Sequence, residues 1–269
     1  MVDYKEIATA ARIKVLEMIH KAGTSHIGSN FSVVDIASVL YEKADLNKDK
    51  IIWSKGWAAA TAYYFLSQKG IIPKEDLDTF CDGKSPYIGL LEPTIPGIEC
   101  AGGSMGYGLP FGVGIALSKK MKKEEGNVYV IMSDGEQAIG TTWESALLAS
   151  HHELDNLTIL VDYNGFQAMG KTNEVLNIEP LVHKWTSFGW KVREINGHNF
   201  YEIEKALFSE GTIFEWAAYG EYHNRSVPRI IICHTTKGKG VIFMENLLDW
   251  HYKNVDESDY KRALTELNA

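Results

Sequence analysis

The feature that most constrains the fold is a series of short apolar segments, rich in β-branched residues, that alternate with helical segments through the second half of the chain. Strands of this composition are buried on both faces, as in parallel sheets that carry helices on both sides. The strands are expected at 127–133, 157–163, 190–195 and 228–235, and the helices at 142–153, near 179–189 and from Asn199. The pattern predicts an α/β protein of three layers, α/β/α, around a mainly parallel sheet.

The N-terminal third is predicted to be mostly helical. Apolar residues at three- and four-residue spacing indicate an amphipathic helix over the first 21 residues, ended by Gly23. A second helix is expected after Ser32, which has Asp35 three residues later in the manner of a capping box. A strand (51–54) and an alanine-rich buried helix (56–68) follow, and we expect these N-terminal helices to form an extension of the sandwich.

Composition argues against several classes of protein: nucleic-acid-binding, membrane-spanning, disulfide-rich and zinc-binding proteins. The net charge of −8 gives no basic surface for nucleic acid, and no apolar run is long enough to cross a membrane. Cys81, Cys100 and Cys233 are too few and too widely spaced for a disulfide framework or a zinc site. Because the N-terminus also lacks an apolar stretch of signal-peptide length, we expect a cytoplasmic protein. The length of the chain and the absence of an obvious domain boundary predict that residues 1–269 form a single domain.

Polar residues follow two successive predicted strands. Asp134-Gly135-Glu136 comes after the first, and Asn164-Gly165 follows the second after one helical crossover. Ligands of parallel sheets bind beyond the carboxyl ends of the strands, where Asp134 and Asn164 would lie about 4.8 Å apart, one strand spacing. One carboxylate and one amide oxygen suit Mg²⁺, which completes its coordination with phosphate oxygens and water. Asx-Gly pairs are equally typical of simple turns, so the residues alone leave both interpretations open.

A competing motif overlaps the second strand end. Residues 165–172 (GFQAMGKT) fit the phosphate-loop pattern GxxxxGK[ST], which predicts an ATP or GTP hydrolase. A phosphate loop continues directly into a helix whose N-terminus faces the phosphates. Here the following segment is short and meets Pro180, and the later strand ends in His234-Thr235 rather than in an aspartate. We therefore interpret this match as a coincidence.

Four segments, in order, resemble the transketolase family over residues 4–265. The stretch from Asp134 to Gln167 resembles the thiamine-diphosphate motif of transketolases, in which Asp-Gly is followed some 30 residues later by Asn. The other three segments are Ser54-Lys55-Gly56, 96–110 (PGIECAGGSMGYGLP) and 237–251 (KGKGVIFMENLLDWH). The resemblance implies the diphosphate-binding domain of a thiamine-diphosphate- and Mg²⁺-dependent enzyme.

The resemblance also assigns roles to individual residues. It implies that Asp134, Asn164 and the carbonyl of Phe166 bind the metal, and that His26 and His251 act near the reacting substrate. A histidine with a pKa near neutrality can transfer protons there, whereas either histidine taken alone would favour a structural role. It places Glu144 at a subunit interface. The residues implied to contact the cofactor are Gly103, Ser104, Met105, Gly106, Asp134, Gly135, Glu136, Asn164 and His251.

Transketolases normally carry two further domains, so this chain resembles the N-terminal subunit of a split transketolase. The resemblance implies a C-terminal subunit with the pyrimidine-binding domain as partner, in an α₂β₂ assembly. The implied reaction transfers a two-carbon ketol unit from a ketose phosphate donor to an aldehyde acceptor, with small sugar or keto compounds as substrates. The alternative that is not an enzyme is a scaffold subunit that keeps the fold but has no catalytic activity.

Three departures from the family pattern concern the substrate. Trp57 stands where the family has a histidine, Leu90 lies where a Gly-His-Pro segment is usual, and Ile139 replaces an interface glutamate. Apolar side chains cannot pair with substrate hydroxyls, and a site without such partners selects different substrates. An unusual donor, such as a 1-deoxy ketose, a 2-keto acid or a modified sugar, is therefore a second interpretation.

Overall fold

A computed structural model describes residues 2–209, 216–218 and 225–269. In these ranges the strands are β1 (Lys50–Trp53), β2 (Val128–Ser133), β3 (Leu157–Tyr163), β4 (Lys191–Asn196) and β5 (Arg229–His234). The helices are α1 (Tyr4–Ala22), α2 (Ile27–Lys43), α3 (Ala59–Gln68), α4 (Gly108–Lys122), α5 (Gly140–His151), α6 (Thr172–Val175), α7 (Leu181–Ser187), α8 (Phe200–Phe208) and α9 (Glu257–Leu267). The predicted strands and the helices between them are confirmed, with ends shifted by a few residues.

The five strands of the described region form one sheet in the order β1-β2-β3-β5-β4, and every pair in it is parallel. Alternate residues of β2 face opposite sides of the sheet. Tyr129 and Ile131 pack in one apolar core, whereas Val130 and Met132 pack in the other. Two separate cores, one on each face, confirm the predicted three-layer α/β/α fold.

Two expectations for the N-terminal region are wrong. Helix α2 begins at Ile27, so Ser32 and Asp35 lie inside it and not at a cap. Ser32 Oγ instead donates a 2.6 Å hydrogen bond to Asp162, and Asp35 pairs with Arg12 of α1. The N-terminal helices are also not an extension, because the buried side chains of α1 and α2 belong to the same core as Tyr129.

Helix α4 was not predicted from the sequence. Residues 82–107 before it are rich in glycine and proline and have irregular structure. Backbone packing explains the composition of the loop: a Cβ on Gly102 would lie 2.4 Å from the Cα of Gly56. No helix within the described ranges has the length and apolar character needed to cross a membrane.

Candidate active site

A cavity of about 360 Å³ opens beyond the carboxyl ends of β1, β2 and β3, where parallel sheets bind ligands. Most of the residues singled out from the sequence line it: His26, Gly103, Met105, Asp134, Gly135, Glu136, Asn164, Phe166 and His251. Ser104 and Gly106 are not among the lining residues. Ser104 is exposed, and Gly106 lies behind the wall, where its N–H donates to Glu136.

Asp134 is held by three hydrogen bonds and retains room for one more partner. Its Oδ1 accepts from the N–H of Gly135 at 2.8 Å, and its Oδ2 accepts from the N–H of Gly165 at 2.8 Å and from Thr172 Oγ1 at 2.9 Å. A carboxylate has about four lone-pair positions, so one position on Oδ1 stays free. Burial raises the pKa of Asp134 to about 6, which shows that these donors do not fully compensate the buried charge.

Asn164 faces the same cavity from the neighbouring strand end. Its Nδ2 donates to Ser32 Oγ at 3.3 Å, and its Oδ1 accepts from the N–H of Phe166 at 3.1 Å and retains one lone pair. Among the described residues, no group of three His, Cys, Asp or Glu side chains is placed to hold a metal ion. A cation here therefore depends on carboxylate, amide and carbonyl oxygens, a hard donor set that fits Mg²⁺.

Glu136 joins three segments of the cavity wall. The side chain is fully buried, and its Oε1 accepts from the N–H of Gly106 at 3.0 Å and from the hydroxyl of Ser54. Its Oε2 accepts from the N–H of Ser133 at 2.7 Å. Ser54 Oγ in turn accepts from the N–H of Gly108 at 3.1 Å. The carboxylate thus ties the glycine-rich loop and the start of α4 to the ends of β1 and β2.

A buried ion pair under the cavity was missed by the sequence analysis. Lys55 Nζ donates to Asp162 and, at 2.9 Å, to the carbonyl of Ser29, and the hydroxyl of Thr235 also donates to Asp162. Burial would raise the pKa of Asp162, but the Lys55 ammonium and the hydrogen bonds from Ser32 and Thr235 together outweigh burial and hold it below its ordinary value. A charged residue within the apolar segment LTILVDY was the available signal, because a buried charge requires a partner.

Lys237 is a second buried cation that no sequence pattern identified. It is fully buried, and its Nζ lies 3.1 Å from Ser29 Oγ and 3.0 Å from His251 Nδ1. Burial and the nearby Lys55 lower the pKa of Lys237 to about 7. The Cγ of Lys237 packs on the backbone of helix α2 at Gly28, and a Cβ on Gly28 would lie 3.1 Å from that Cγ.

Aromatic rings form one wall of the cavity. The ring of Trp57 stacks on His26 with centroids 4.5 Å apart and planes 14° from parallel, and His251 and Tyr252 meet the same imidazole edge-on. His26 has a φ of 71°, which is costly for a residue with a Cβ. Such backbone strain at a cavity points to a functional position.

The two histidines are neutral at physiological pH. Burial, together with Lys237 and Lys55, lowers the pKa of His26 to about 4. Burial and Lys237 lower the pKa of His251 to about 3. The near-neutral values expected from the sequence are therefore wrong, because two buried lysines beside the imidazoles disfavour a further positive charge.

Residues 165–172 do not form a phosphate loop. The segment folds back on itself, with an antiparallel bridge between Phe166 and Lys171, and continues into α6, a helix of only four residues. Lys171 pairs with Glu174 at 3.6 Å, and Thr172 donates to Asp134. This geometry supports the interpretation of the motif as a coincidence.

The remaining positions singled out from the sequence lie around the cavity and not in its lining. A Cβ on Gly103 would lie 3.0 Å from Leu90, and a Cβ on Gly106 would lie 2.7 Å from Ile139, so both apolar side chains pack behind the glycine-rich loop. Glu144 is exposed on α5.

Comparison with known proteins gives matches over nearly the whole chain. Residues 3–268 match the family model described as "Transketolase, thiamine diphosphate binding domain". One subunit of the apulose-4-phosphate transketolase of Phocaeicola vulgatus is 34% identical over 266 residues, covering 96% of this chain and 91% of that protein. The 6-deoxy-6-sulfo-D-fructose transketolase subunit SqwG of Clostridium sp. is 34% identical over 277 residues, covering 99% and 96% respectively.

A solved structure agrees with these sequence matches. The transketolase of Campylobacter jejuni superposes with a TM-score of 0.89 at 28% sequence identity, over 100% of this chain. The superposition covers 43% of the Campylobacter chain, so the present chain spans less than half the length of that transketolase.

Proposed function

Because this chain belongs to the transketolase family, as its motifs predicted, we propose that it is the N-terminal, diphosphate-binding subunit of a split transketolase-type enzyme. Residues 1–269 would form one diphosphate-binding domain. The proposal rests above all on the oxygen donors of Asp134 and Asn164, which meet at one cavity from the ends of two paired strands.

In this proposal the cavity holds Mg²⁺ and thiamine diphosphate. Asp134, Asn164 and the Phe166 carbonyl bind the metal, each side-chain oxygen through its remaining lone pair. The cofactor supplies the carbon nucleophile and electron sink for cleavage of a carbon–carbon bond. The loop from Gly103 to Gly106, with Ser104 and Met105, would border the cofactor, and Gly135 and Glu136 would form the wall beneath it.

His26 and His251 act in this proposal as neutral hydrogen-bonding groups that orient the substrate. Their depressed pKa values favour an imidazole that keeps one N–H and one acceptor nitrogen. Trp57 fixes the ring plane of His26 and covers one face of it, which excludes water from that side.

We propose that the active enzyme needs a C-terminal subunit with the pyrimidine-binding domain, in an α₂β₂ assembly. The Phocaeicola relative, 91% of which is matched by this chain, is named as one subunit of a transketolase, and this supports a separate partner. The cytoplasmic location expected from the sequence stays a prediction.

The donor in this proposal is a modified ketose and not an ordinary one. The relatives at 34% identity are named for apulose-4-phosphate and for 6-deoxy-6-sulfo-D-fructose, both unusual sugars. Trp57 lines the cavity and stacks on His26, at a position where the family pattern has a histidine that could pair with a donor hydroxyl.

Replacing Trp57 tests the donor directly. Trp57→His provides a group that can pair with a hydroxyl, so we expect turnover of ordinary ketose phosphates to rise about tenfold or more. Steady-state kinetics of the assembled enzyme with two donors, one ordinary and one modified, measures the ratio of kcat/KM. Trp57→Phe is the matched control, since it keeps the ring without adding a polar group. An unchanged ratio in Trp57→His would contradict this role.

Calorimetry tests the cofactor site. Thiamine diphosphate should bind to this chain with its partner present only when Mg²⁺ is added, and Asp134→Ala should abolish the binding. The control Lys171→Ala alters the phosphate-loop motif and should leave binding unchanged. Binding that is absent from the wild-type complex would favour the scaffold alternative, and loss of activity in Lys171→Ala alone would favour a nucleotide hydrolase.

A further inference from the structure

His251 meets the cavity on one side and a buried lysine on the other. The imidazole lines the cavity, whereas Lys237, whose Nζ is 3.0 Å from His251 Nδ1, is fully buried and does not line it. Within the described residues, no hydrogen bond reaches His251 Nε2. The two ring nitrogens of His251 therefore differ: Nδ1 is hydrogen-bonded to a buried lysine, and Nε2 is available to a ligand in the cavity.

The direction of the hydrogen bond between Lys237 and His251 decides which nitrogen carries the proton. A lysine ammonium has three N–H donors and no acceptor. One donor of Lys237 points to Ser29 Oγ at 3.1 Å, and another points to His251 Nδ1. An Nδ1 atom that accepts cannot carry hydrogen, so a neutral imidazole in this position must be protonated at Nε2.

The stem of Lys237 is fixed by its surroundings. Its Cγ packs against Gly28, where a Cβ would lie 3.1 Å away, and its carbonyl accepts from the N–H of Asn246 at 2.9 Å. The backbone N–H of Gly238 donates to the carbonyl of Gly28 at 3.0 Å. A lysine anchored on both its stem and its backbone holds Nζ in place and does not follow the imidazole.

We propose that Lys237 is a positioning residue that fixes His251 as its Nε2–H tautomer, so that His251 presents a hydrogen-bond donor to the cavity. His251 then binds an oxygen of a ligand, such as a phosphate or carbonyl oxygen, and does not take up a proton there. This consequence rests on the proposed function, whereas the tautomer itself does not.

Nitrogen NMR of the full chain labelled with ¹⁵N-histidine tests the proposal without cofactor or substrate. At pH 6, Lys237 is mainly an ammonium and His251 is neutral, given pKa values of about 7 and about 3. The chain has nine histidines, so the signals of His251 are assigned by their loss in His251→Gln. We expect the wild-type signals of the Nε2–H tautomer.

The variant Lys237→Met keeps the length of the stem and removes the donor. We expect His251 in this variant to lose its preference and to show a mixture of tautomers or mainly Nδ1–H. Lys119→Met is the matched control, because Lys119 is also buried and donates to two carbonyls, those of Lys48 and Glu125. It should leave the His251 signals unchanged.

Two results would overturn the proposal: an Nδ1–H tautomer in the wild type, or a fully retained Nε2–H tautomer in folded Lys237→Met. Should Lys237→Met fail to fold, the wild-type spectrum still decides between Nε2–H and Nδ1–H. If the chain does not bind thiamine diphosphate when its C-terminal partner and Mg²⁺ are present, the proposed function fails while the tautomer result stands.

Discussion

Individual buried charges set the electrostatics of the cavity. Lys55 and Asp162 form an ion pair whose side chains are 7% and 0% exposed, directly beneath Asn164 and its partner Ser32. Removing two charges from water is costly, and the loss of one partner leaves the other uncompensated. The intact pair is therefore expected to add little to the free energy of unfolding, whereas removing one partner should lower that free energy strongly.

Lys55→Met should destabilise the chain by about 3–5 kcal/mol, because Asp162 would remain buried without a cation. Urea denaturation measures the free energy of unfolding. The matched control is Lys50→Met, which breaks the pair with Glu99 at a lysine that is 46% exposed, and should cost at most about 1 kcal/mol. Equal losses in the two variants would contradict the buried-charge argument.

The residues that sequence analysis identified and those it missed differ in a physical way. Asp134 and Asn164 stand at strand ends, where topology alone brings them together, so a local pattern was enough to predict their proximity. Lys55 and Lys237 also follow strands, β1 and β5, but lysine is typical of solvated surfaces, so nothing at these positions indicated that they are buried beside the cavity. The sequence alone suggested pKa values near neutrality for His26 and His251. Burial and the buried lysines Lys55 and Lys237 lower both pKa values.

At the scale of elements, the start of α4 fixes the glycine-rich loop against β1. The N–H of Gly108 donates to Ser54 Oγ, and a Cβ on Gly108 would lie 2.3 Å from Ser54 Cβ. Helix and strand end are therefore in contact with no room for a side chain. Because Ser54 also donates to Glu136, a displacement of α4 would reach the wall of the cavity.

Gly108→Ala should push α4 away from the turn after β1 and weaken Mg²⁺-dependent thiamine diphosphate binding about tenfold, at a cost in stability of about 1–3 kcal/mol. Gly114→Ala on the same helix is the control, since no atom lies within 4 Å of its added Cβ. Replacing this helical glycine should stabilise the chain by about 0.5–1 kcal/mol. Calorimetry and urea denaturation measure both effects, and similar behaviour of the two variants would refute the steric explanation.

Helices α1 and α2 are joined by a buried carboxylate. Arg12 donates to both oxygens of Asp35 at 2.9 Å, and His198 Nδ1 lies 2.7 Å from Oδ2. Burial would raise the pKa of Asp35, but Arg12 and His198 together outweigh burial and hold it below its ordinary value. A lowered folded-state pKa contributes stability above the unfolded value, about pH 4, and this contribution is lost as the pH falls through the folded-state pKa.

Asp35→Asn should therefore be less stable than the wild type at pH 7, and the difference between the two should shrink as the pH falls below about 4. The free energy of unfolding measured in urea from pH 7 to pH 3 checks this. A difference that stays constant over the whole range would show that the carboxylate charge is not the stabilising element.

The elements that could be predicted are those whose signal is local and periodic. Strands β2, β3 and β5 are buried on both faces, which requires the continuous apolar runs that identified them. The start of α2 was misplaced because the spacing of Ser32 and Asp35 imitates a cap, whereas both side chains bind distant partners inside the fold. Helix α4 was missed because the glycines that let it approach β1 also resemble a loop.

At the scale of the whole molecule, apolar side chains remain exposed at the cavity lining and on helices α4 and α5. Met105 lines the cavity and is 45% exposed. Phe111 on α4 and Leu147 on α5 are 47% and 58% exposed, and these two helices pack against each other. Exposed apolar side chains that cluster on a surface are typical of protein interfaces. In the proposed assembly, this surface is the one that the C-terminal subunit covers.

Phe111→Asp and Leu147→Asp should leave the free chain folded, because both side chains are exposed, and should weaken association with the C-terminal subunit about tenfold or more. Sedimentation of the mixed subunits measures the assembly. Met121→Asp is the control: Met121 is 75% exposed at the far end of α4, ten residues or about 15 Å from Phe111.

Association and cofactor binding should then change together. A cofactor that contacts both chains binds most tightly to the assembled complex. Cofactor binding therefore strengthens the association of the two chains, and association strengthens cofactor binding by the same factor. A tenfold loss of affinity between the two chains in Phe111→Asp should therefore lower the apparent thiamine diphosphate affinity, by up to about tenfold when the protein concentration is below the dissociation constant of the two chains. Weakened association with unchanged cofactor affinity would mean that this surface binds the partner away from the cofactor, and the site would then lie within one chain alone.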